Sequence, residues 1–224
     1  MKLSQNTLAV LKNFSSINNG IVIKEGNKLN TMSVMRNIVA SAEVEETFPE
    51  CAFYNLSELL SVISLFKDAD LEFADKFVTI GTGRSKVRYF YSDPTVIVAP
   101  TKEIKAPVME ISFSIGQDSL NELIKAASVL GLPDIVVESS GDGEMKISAC
   151  DIKNPSTNVF SRDLESIGDG GDLTFKMVFK ADSITKLRGG SYDVSISSKN
   201  ISHWKALDHN SEYYLSLEST SKFG

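Results

Sequence analysis

The chain has 224 residues, 42% of them hydrophobic and 23% charged, the balance of a globular protein that buries a real core. Its 29 acidic side chains outnumber 23 Lys and Arg for a net charge of −6, which argues against a protein that grips nucleic acid by bulk positive charge and against a polybasic membrane-surface protein. Cys51 and Cys150 lie far apart without CxxC spacing, so a disulfide framework or structural zinc site is not expected and a reducing compartment fits. The opening MKLSQNTLAVLKNF contains no uninterrupted apolar run, and no stretch approaches the roughly 18 apolar residues of a membrane span. A soluble, cytoplasmic protein is expected.

Leu8, Leu11, Phe14 and Ile17 recur at helical spacing and predict a helix over 4–17, with Ser4 as N-cap and Asn18-Asn19-Gly20 as its stop, Gly20 being suited to a left-handed position. Strands are expected at 21–24, 28–34, 38–44 and 50–55, the first two joined by a hairpin turn at Glu25-Gly26-Asn27. A second helix spans 56–66, with Ser57 as a candidate cap, and strands follow at 70–73, 77–80 and 86–91. The segment DPTVIVAPTKEIKAP carries three of the six prolines, which reads as an extended connector with a short strand at 96–99. The same order then recurs: a strand at 111–115, a helix over 118–130 ended by Gly131, and a hairpin of 135–139 with 144–152 around Gly141-Asp142-Gly143. Strands at 158–164 and 173–179, a short helix over 182–187, and closing strands at 192–197, 202–207 and 213–218 complete the chain. The pattern predicts a duplication, with domains over 1–92 and 110–224 joined by a connector at 93–109.

No catalytic constellation emerges. His203 and His209 lack convergent metal-ligand spacing. Ser183 and Lys186 match SxxK but lack its supporting elements. Gly81-Thr82-Gly83 reads as a hairpin turn, and Gly168 to Gly171 as a loop without the residues of a phosphate or calcium site. Both cysteines sit in apolar strands as inert thiols. What remains is base on or beside each helix: Lys12, Lys67, Lys125, and around the last helix Lys180, Lys186 and Arg188. These are either ordinary solvated helix faces or one weakly basic surface offered to a polyanion.

The segments MKLSQNTLAVLKNF, INNGIVIKEG, FYNLSELLSVISLF and DPTVIVAPTKEIKAPV, and less tightly GGSYDVSISSKNISHWKA, closely resemble the sliding clamps of T4-like bacteriophages. The resemblance runs over nearly the whole chain and weakens between 139 and 172. It implies an α+β subunit of duplicated DNA-clamp fold, with helices lining a ring and antiparallel sheets outside. It further implies a head-to-tail homotrimer around duplex DNA, without catalytic activity, cofactor or metal, that tethers the replicative DNA polymerase. An ATP-dependent clamp loader, late transcription factors and the cytoplasm of an infected bacterial host complete the implied setting.

On this resemblance Lys12, Lys67, Lys125, Lys180, Lys186 and Arg188 are the candidate DNA-facing residues. The expected subunit contact is strand addition between 86–91, carrying Lys86, Arg88 and Phe90, and 158–164, carrying Phe160, Arg162 and Asp163; the alternative is that both are internal strands. A partner-peptide pocket is expected from Val98, Ile104, Pro107, Val108 and Tyr214, unless these side chains simply hold the domains together. The competing function is a two-domain adaptor that binds proteins without encircling DNA; an enzyme using Ser183 and Lys186 is a third.

Overall fold

The computed structural model describes residues 1–102, 104–164 and 169–224, so that Glu103 of the expected connector and Gly168 of the expected loop lie outside the described residues. The chain divides into two compact units, Met1–Glu103 and Ile104–Gly224. The first runs α1 (Gln5–Ile17), β1 (Ile21–Ile23), β2 (Gly26–Met32), β3 (Ile38–Phe48), β4 (Cys51–Phe53), α2 (Leu56–Ser64), β5 (Asp70–Phe73), β6 (Phe77–Thr82) and β7 (Ser85–Phe90). The second runs β8 (Ile111–Ile115), α3 (Gln117–Leu130), β9 (Asp134–Ser140), β10 (Met145–Cys150), β11 (Phe160–Leu164), β12 (Thr174–Lys180) and α4 (Ala181–Thr185). It ends with β13 (Tyr192–Ser197), β14 (Ile201–Ala206), β15 (Ser211–Ser216) and β16 (Lys222–Phe223).

Every described ladder is antiparallel. In the first unit β1 pairs with β4, β2 with β3, and β5-β6-β7 form a meander. In the second, β11-β10-β9-β12-β16 form one sheet, and β8-β13-β14-β15 lie in order in another. The pairs β1–β4 and β2–β3 correspond in order to β9–β12 and β10–β11, and β5-β6-β7 to β13-β14-β15. Even the chain start conforms. Met1 exchanges backbone bonds of 2.8 Å with Leu71 of β5, the place that β8 takes along β13.

Each unit buries one face of its helices. In α1 the buried set is Thr7, Val10, Leu11, Phe14 and Ile17; in α3 it is Leu120, Leu123 and Ala127. Strand β3 alternates buried Ile38, Ala40, Ala42 and Val44 with exposed Glu43 and Glu45, the period of a half-buried strand. Ser4 caps α1 by accepting from the Thr7 N–H at 3.2 Å. Glu46 of β3 accepts from the Ser4 N–H and the Thr7 hydroxyl; burial alone would raise its pKa, yet those bonds hold it below the ordinary carboxylate value. In the second unit Trp204 is fully buried, met edge-on by Phe113, Phe179 and Tyr192, and its indole N–H donates to the Ser202 hydroxyl at 3.0 Å.

Several local expectations are corrected. No strand forms at 96–99; instead residues 94–96 make a 3-10 turn, because the Asp93 carboxylate accepts from Thr95 N–H at 2.9 Å and Pro94 supplies the first-turn φ. The first two strands are not a hairpin: Gly26, at φ +128°, opens β2 with a register shift, and β1 pairs with β4 instead. Gly20 does not adopt positive φ; a Cβ there would stand 3.0 Å from Ile97, so close packing explains the glycine. Asn55, not Ser57, caps α2, accepting from Glu58 N–H at 3.0 Å. Gly131 does take the left-handed cap of α3, at φ 64°.

Phe179→Ala removes a fully buried ring 5.9 Å from the indole of Trp204, the chain's single tryptophan. It is expected to lower the unfolding free energy by about 3–5 kcal/mol, measured by denaturant titration with Trp204 fluorescence reporting the second unit.

Candidate functional site

The helices are held in pairs by a repeated bond. The first N–H of α2, at Leu56, donates to the Asn19 carbonyl just beyond α1 at 2.6 Å; the first N–H of α4, at Ala181, donates to the Pro133 carbonyl just beyond α3 at 2.9 Å. Asn19 reinforces the first pair, accepting from Ser57 N–H at 2.9 Å and donating to the Asn55 side chain at 2.9 Å. Within each long helix the buried positions share one spacing, Thr7-Val10-Phe14 and Leu120-Leu123-Ala127, and Lys12 and Lys125 fall at the same point of it. Both lysines are exposed, and neither makes an ion pair among the described residues.

The other basic candidates are placed differently. Lys67 is exposed beyond the end of α2, its carbonyl accepting from the Thr82 hydroxyl at 3.0 Å. Lys180 closes β12 and is tied down: its ammonium lies 2.8 Å from Asp134, which is 1% exposed, and 3.7 Å from Glu218. The bond that Lys180 donates to Asp134 holds its pKa above the ordinary value against the opposing effect of burial. Lys186 is half-buried, 3.7 Å from Asp182 one turn earlier. At Arg188 the backbone N–H donates to the Tyr213 hydroxyl at 3.3 Å and the carbonyl accepts from the Tyr192 hydroxyl.

Both strands expected at a subunit contact lie at sheet edges among the described residues: β7 is bonded only to β6, and β11 only to β10. On β7, Lys86 lies 3.4 Å from Glu72, Arg88 stacks 5.2 Å over the Phe77 ring, and Phe90 is 64% exposed. On β11, Arg162 reaches Glu122 of α3 at 2.8 Å, Phe160 is half-buried and Asp163 is exposed. Of the expected pocket residues, Val98 belongs to the first unit, its carbonyl accepting from the Asn18 amide at 2.9 Å. In the second unit Ile104 and Pro107 are half-buried, Val108 is exposed, and Tyr214 stacks on His203 at 4.5 Å.

Sequence reading missed a cavity of about 490 Å³ in the first unit, walled by Val22, Cys51, Ala52, Phe90, Tyr91 and Pro94 among others. Its walls come from separate segments, so no local pattern announces it. Burial, with the Glu50 carboxylate beside it, pushes the Cys51 thiol up to about 12, so the thiol stays protonated at neutral pH. Ser183 is buried within α4 and Lys186 is turned toward Asp182. Among the described residues no group of three or more His, Cys, Asp or Glu is placed to hold a metal ion, and no helix is long and apolar enough to cross a membrane.

Known proteins resemble this chain throughout its length. Residues 2–99 match the family model described as DNA polymerase processivity factor. The sliding clamp of Vibrio phage KVP40 is 32% identical over 98% of this chain and 100% of its own, and that of Enterobacteria phage T4 is 28% identical over 99% and 98%. In fold, the chain is similar to the proliferating cellular nuclear antigen of Entamoeba histolytica, with a TM-score of 0.69 at 14% identity over 95% of both chains. The A. fulgidus antigen gives a TM-score of 0.70 at 11% identity over 96% of both.

Lys180→Met is expected to destabilise the second unit by leaving Asp134 buried without its cation, by about 1–3 kcal/mol because Lys180 is itself partly exposed. Since folding raises the Lys180 pKa, this contribution is present in full below about pH 10.4, the unfolded value. It fades as pH rises through the folded value. Denaturation midpoints of parent and variant should therefore converge in strong alkali.

Proposed function

This chain belongs to the sliding clamps, the DNA polymerase processivity factors, and we propose that it works as a closed head-to-tail homotrimer around duplex DNA. The sliding clamps are not enzymes, and the buried Ser183 and high-pKa Cys51 offer no nucleophile. The observation that carries the ring reading is the repetition: two similar units, each presenting a helix pair with an exposed lysine at the same point, Lys12 and Lys125. Non-specific phosphate contacts give dissociation constants of only about 10⁻⁴–10⁻⁶ M at physiological salt, and a subunit of net charge −6 does worse. Closure substitutes topology for grip. Lys12 and Lys125 then centre the duplex, with Lys67, Lys186 and Arg188 supplementing them and Lys180 serving mainly the fold.

The tethered partner is the replicative polymerase, and an ATP-dependent loader opens the ring. Within the second unit, Ile104, Pro107, Val108 and Tyr214 are our candidates for docking partner peptides. The phage relatives support an assignment to the cytoplasm of an infected bacterium, and the resemblance to T4-like clamps extends the reading to coactivation of late transcription.

Loaded onto circular DNA, the protein should remain bound through high salt and be released when the circle is cut; release from intact circles at the same rate favours the non-encircling adaptor. The Lys12→Glu, Lys125→Glu double variant should keep the mass of a trimer, three times the 24.5 kDa subunit, while its loading falls on the order of tenfold. Unchanged loading removes these lysines from the duplex-facing surface.

A further inference from the structure

The two units close one sheet edge differently, and the difference leaves a strand-shaped space in the first. The registers set Ala52 of β4 opposite Val22 and Val178 of β12 opposite Val136, so Ala52 and Val178 hold matching places. In an antiparallel ladder a residue either exchanges both backbone bonds with the residue opposite or turns both groups to the other side. Ala52 and Val178 do the second. The Ala52 carbonyl accepts from the Ser92 N–H at 2.9 Å, and the Val178 carbonyl accepts from the Glu218 N–H at 2.8 Å. Ser92 follows β7 and Glu218 follows β15, so this bond too is repeated.

Beyond it the chain takes two courses. In the second unit residues 218–224 stay along β12. The Ser221 hydroxyl accepts from the Val178 N–H at 3.0 Å, Lys222 and Phe223 of β16 pair with Lys176 and Phe175, and the Gly224 N–H donates to the Thr174 carbonyl at 2.9 Å. In the first unit Asp93 draws the chain away. Its carboxylate accepts from the Thr95 N–H at 2.9 Å and the Thr95 hydroxyl at 2.7 Å, which fixes the 3-10 turn at Pro94–Val96. The Ser92 hydroxyl takes the Tyr54 N–H at 3.1 Å. The Ala52 N–H, the counterpart of the one that Ser221 answers, has no partner among the described residues.

The cavity of about 490 Å³ lies at this place, walled by Glu50, Cys51 and Ala52 on one side and Ser92, Asp93 and Pro94 on another. Tyr91, also in its wall, has a buried hydroxyl without a hydrogen-bond partner among the described residues. Burial, with Cys51 near it, pushes that hydroxyl up to about 12, so it remains a donor at neutral pH. Two unanswered donors at one cavity call for carbonyl acceptors. Val22, Phe90 and the Tyr91 ring make the wall apolar, while the exposed carboxylates of Glu50, Asp75 and Asp93 outnumber the ammonium of Lys76.

We propose that this cavity binds an extended segment of another protein, which adds antiparallel to the outer edge of β4 as residues 221–223 add to β12. Its carbonyl or hydroxyl oxygens answer the Ala52 N–H and the Tyr91 hydroxyl. An aromatic or aliphatic side chain enters between Val22 and Phe90. A lysine or arginine falls opposite Glu50, where Lys222 falls opposite Lys176 in the second unit, and meets the acidic wall. In strand addition of this kind main-chain bonds supply affinity and the side-chain pocket supplies specificity. The site lies wholly in the first unit, whereas Ile104, Pro107, Val108 and Tyr214 belong to the second, and it does not depend on the ring reading.

The probe is a synthetic peptide copying residues 219–224, capped at both ends and fluorescently labelled, added to the full chain and followed by anisotropy. It should bind saturably. Glu50→Lys, at an exposed position, should weaken binding roughly tenfold, and Tyr91→Phe, which removes a single oxygen, roughly threefold. A photoreactive residue at the peptide's phenylalanine should cross-link to residues 50–52 and 90–94. Absence of saturable binding, affinity unchanged by both substitutions, or cross-links confined to β12 overturns the proposal. A peptide that lowers the mass of the assembled protein assigns the cavity to a second copy and overturns it as well. Binding to a chain that proves monomeric sustains this site while removing the ring.

Discussion

An open sheet cannot satisfy its own edges. Each interior strand spends its backbone groups on two neighbours, and each edge strand leaves alternate N–H and C=O groups facing outward. Among the described residues β7 and β11 carry that condition. β7 offers Lys86, Arg88 and Phe90 on the helix-free face, charge and aromatic area together, while β11 offers Asp163 on its own helix-free face.

The second organising fact is electrostatic economy. A protein meant to hold DNA by attraction concentrates lysine and arginine. This one has more acid than base, and it neutralises several of its cations internally: Lys180 on Asp134, Arg162 on Glu122, Lys86 on Glu72 and Lys186 on Asp182. Lys12 and Lys125, placed alike on α1 and α3, are left exposed without such partners. On the proposed reading, sparse positive charge of that kind would centre a duplex without fixing it to one position, since no phosphate contact would have to be broken at great cost for the next to form.

The elements legible in the sequence were those specified by local periodicity. The stripe of α1 and the stripe of α3 were visible because burial repeats every three or four residues, and Gly131 announced a left-handed cap through chemistry that acts within one turn. Lys12 and Lys125 were readable for the same reason. The misreadings share an opposite cause, dependence on residues distant in sequence. The expected β1–β2 hairpin failed because β4 took β1 as its partner, and Gly20 was explained by Ile97 rather than by its own φ. Lys180 read as helix-associated base, while its partner Asp134, 46 residues earlier, determines what its charge does. The cavity beside Phe90 had no local signal at all.

The duplication makes the same point at a larger scale. The two units share little that a residue-by-residue comparison would detect, yet they repeat the bond from the second helix's first N–H to the carbonyl beyond the first helix, at Leu56 to Asn19 and Ala181 to Pro133. They also repeat the strand that runs into the long helix, built from β8 in one unit and from the bare chain start at Met1 in the other. Backbone geometry conserves the layout while side chains diverge, because the backbone bonds depend on register and phase, not on residue identity. That independence lets one hydrogen-bond phase run from β16 through β12, β9 and β10 to β11. It is also why the side chains, free of that duty, are left to choose between registers that the backbone alone would accept equally.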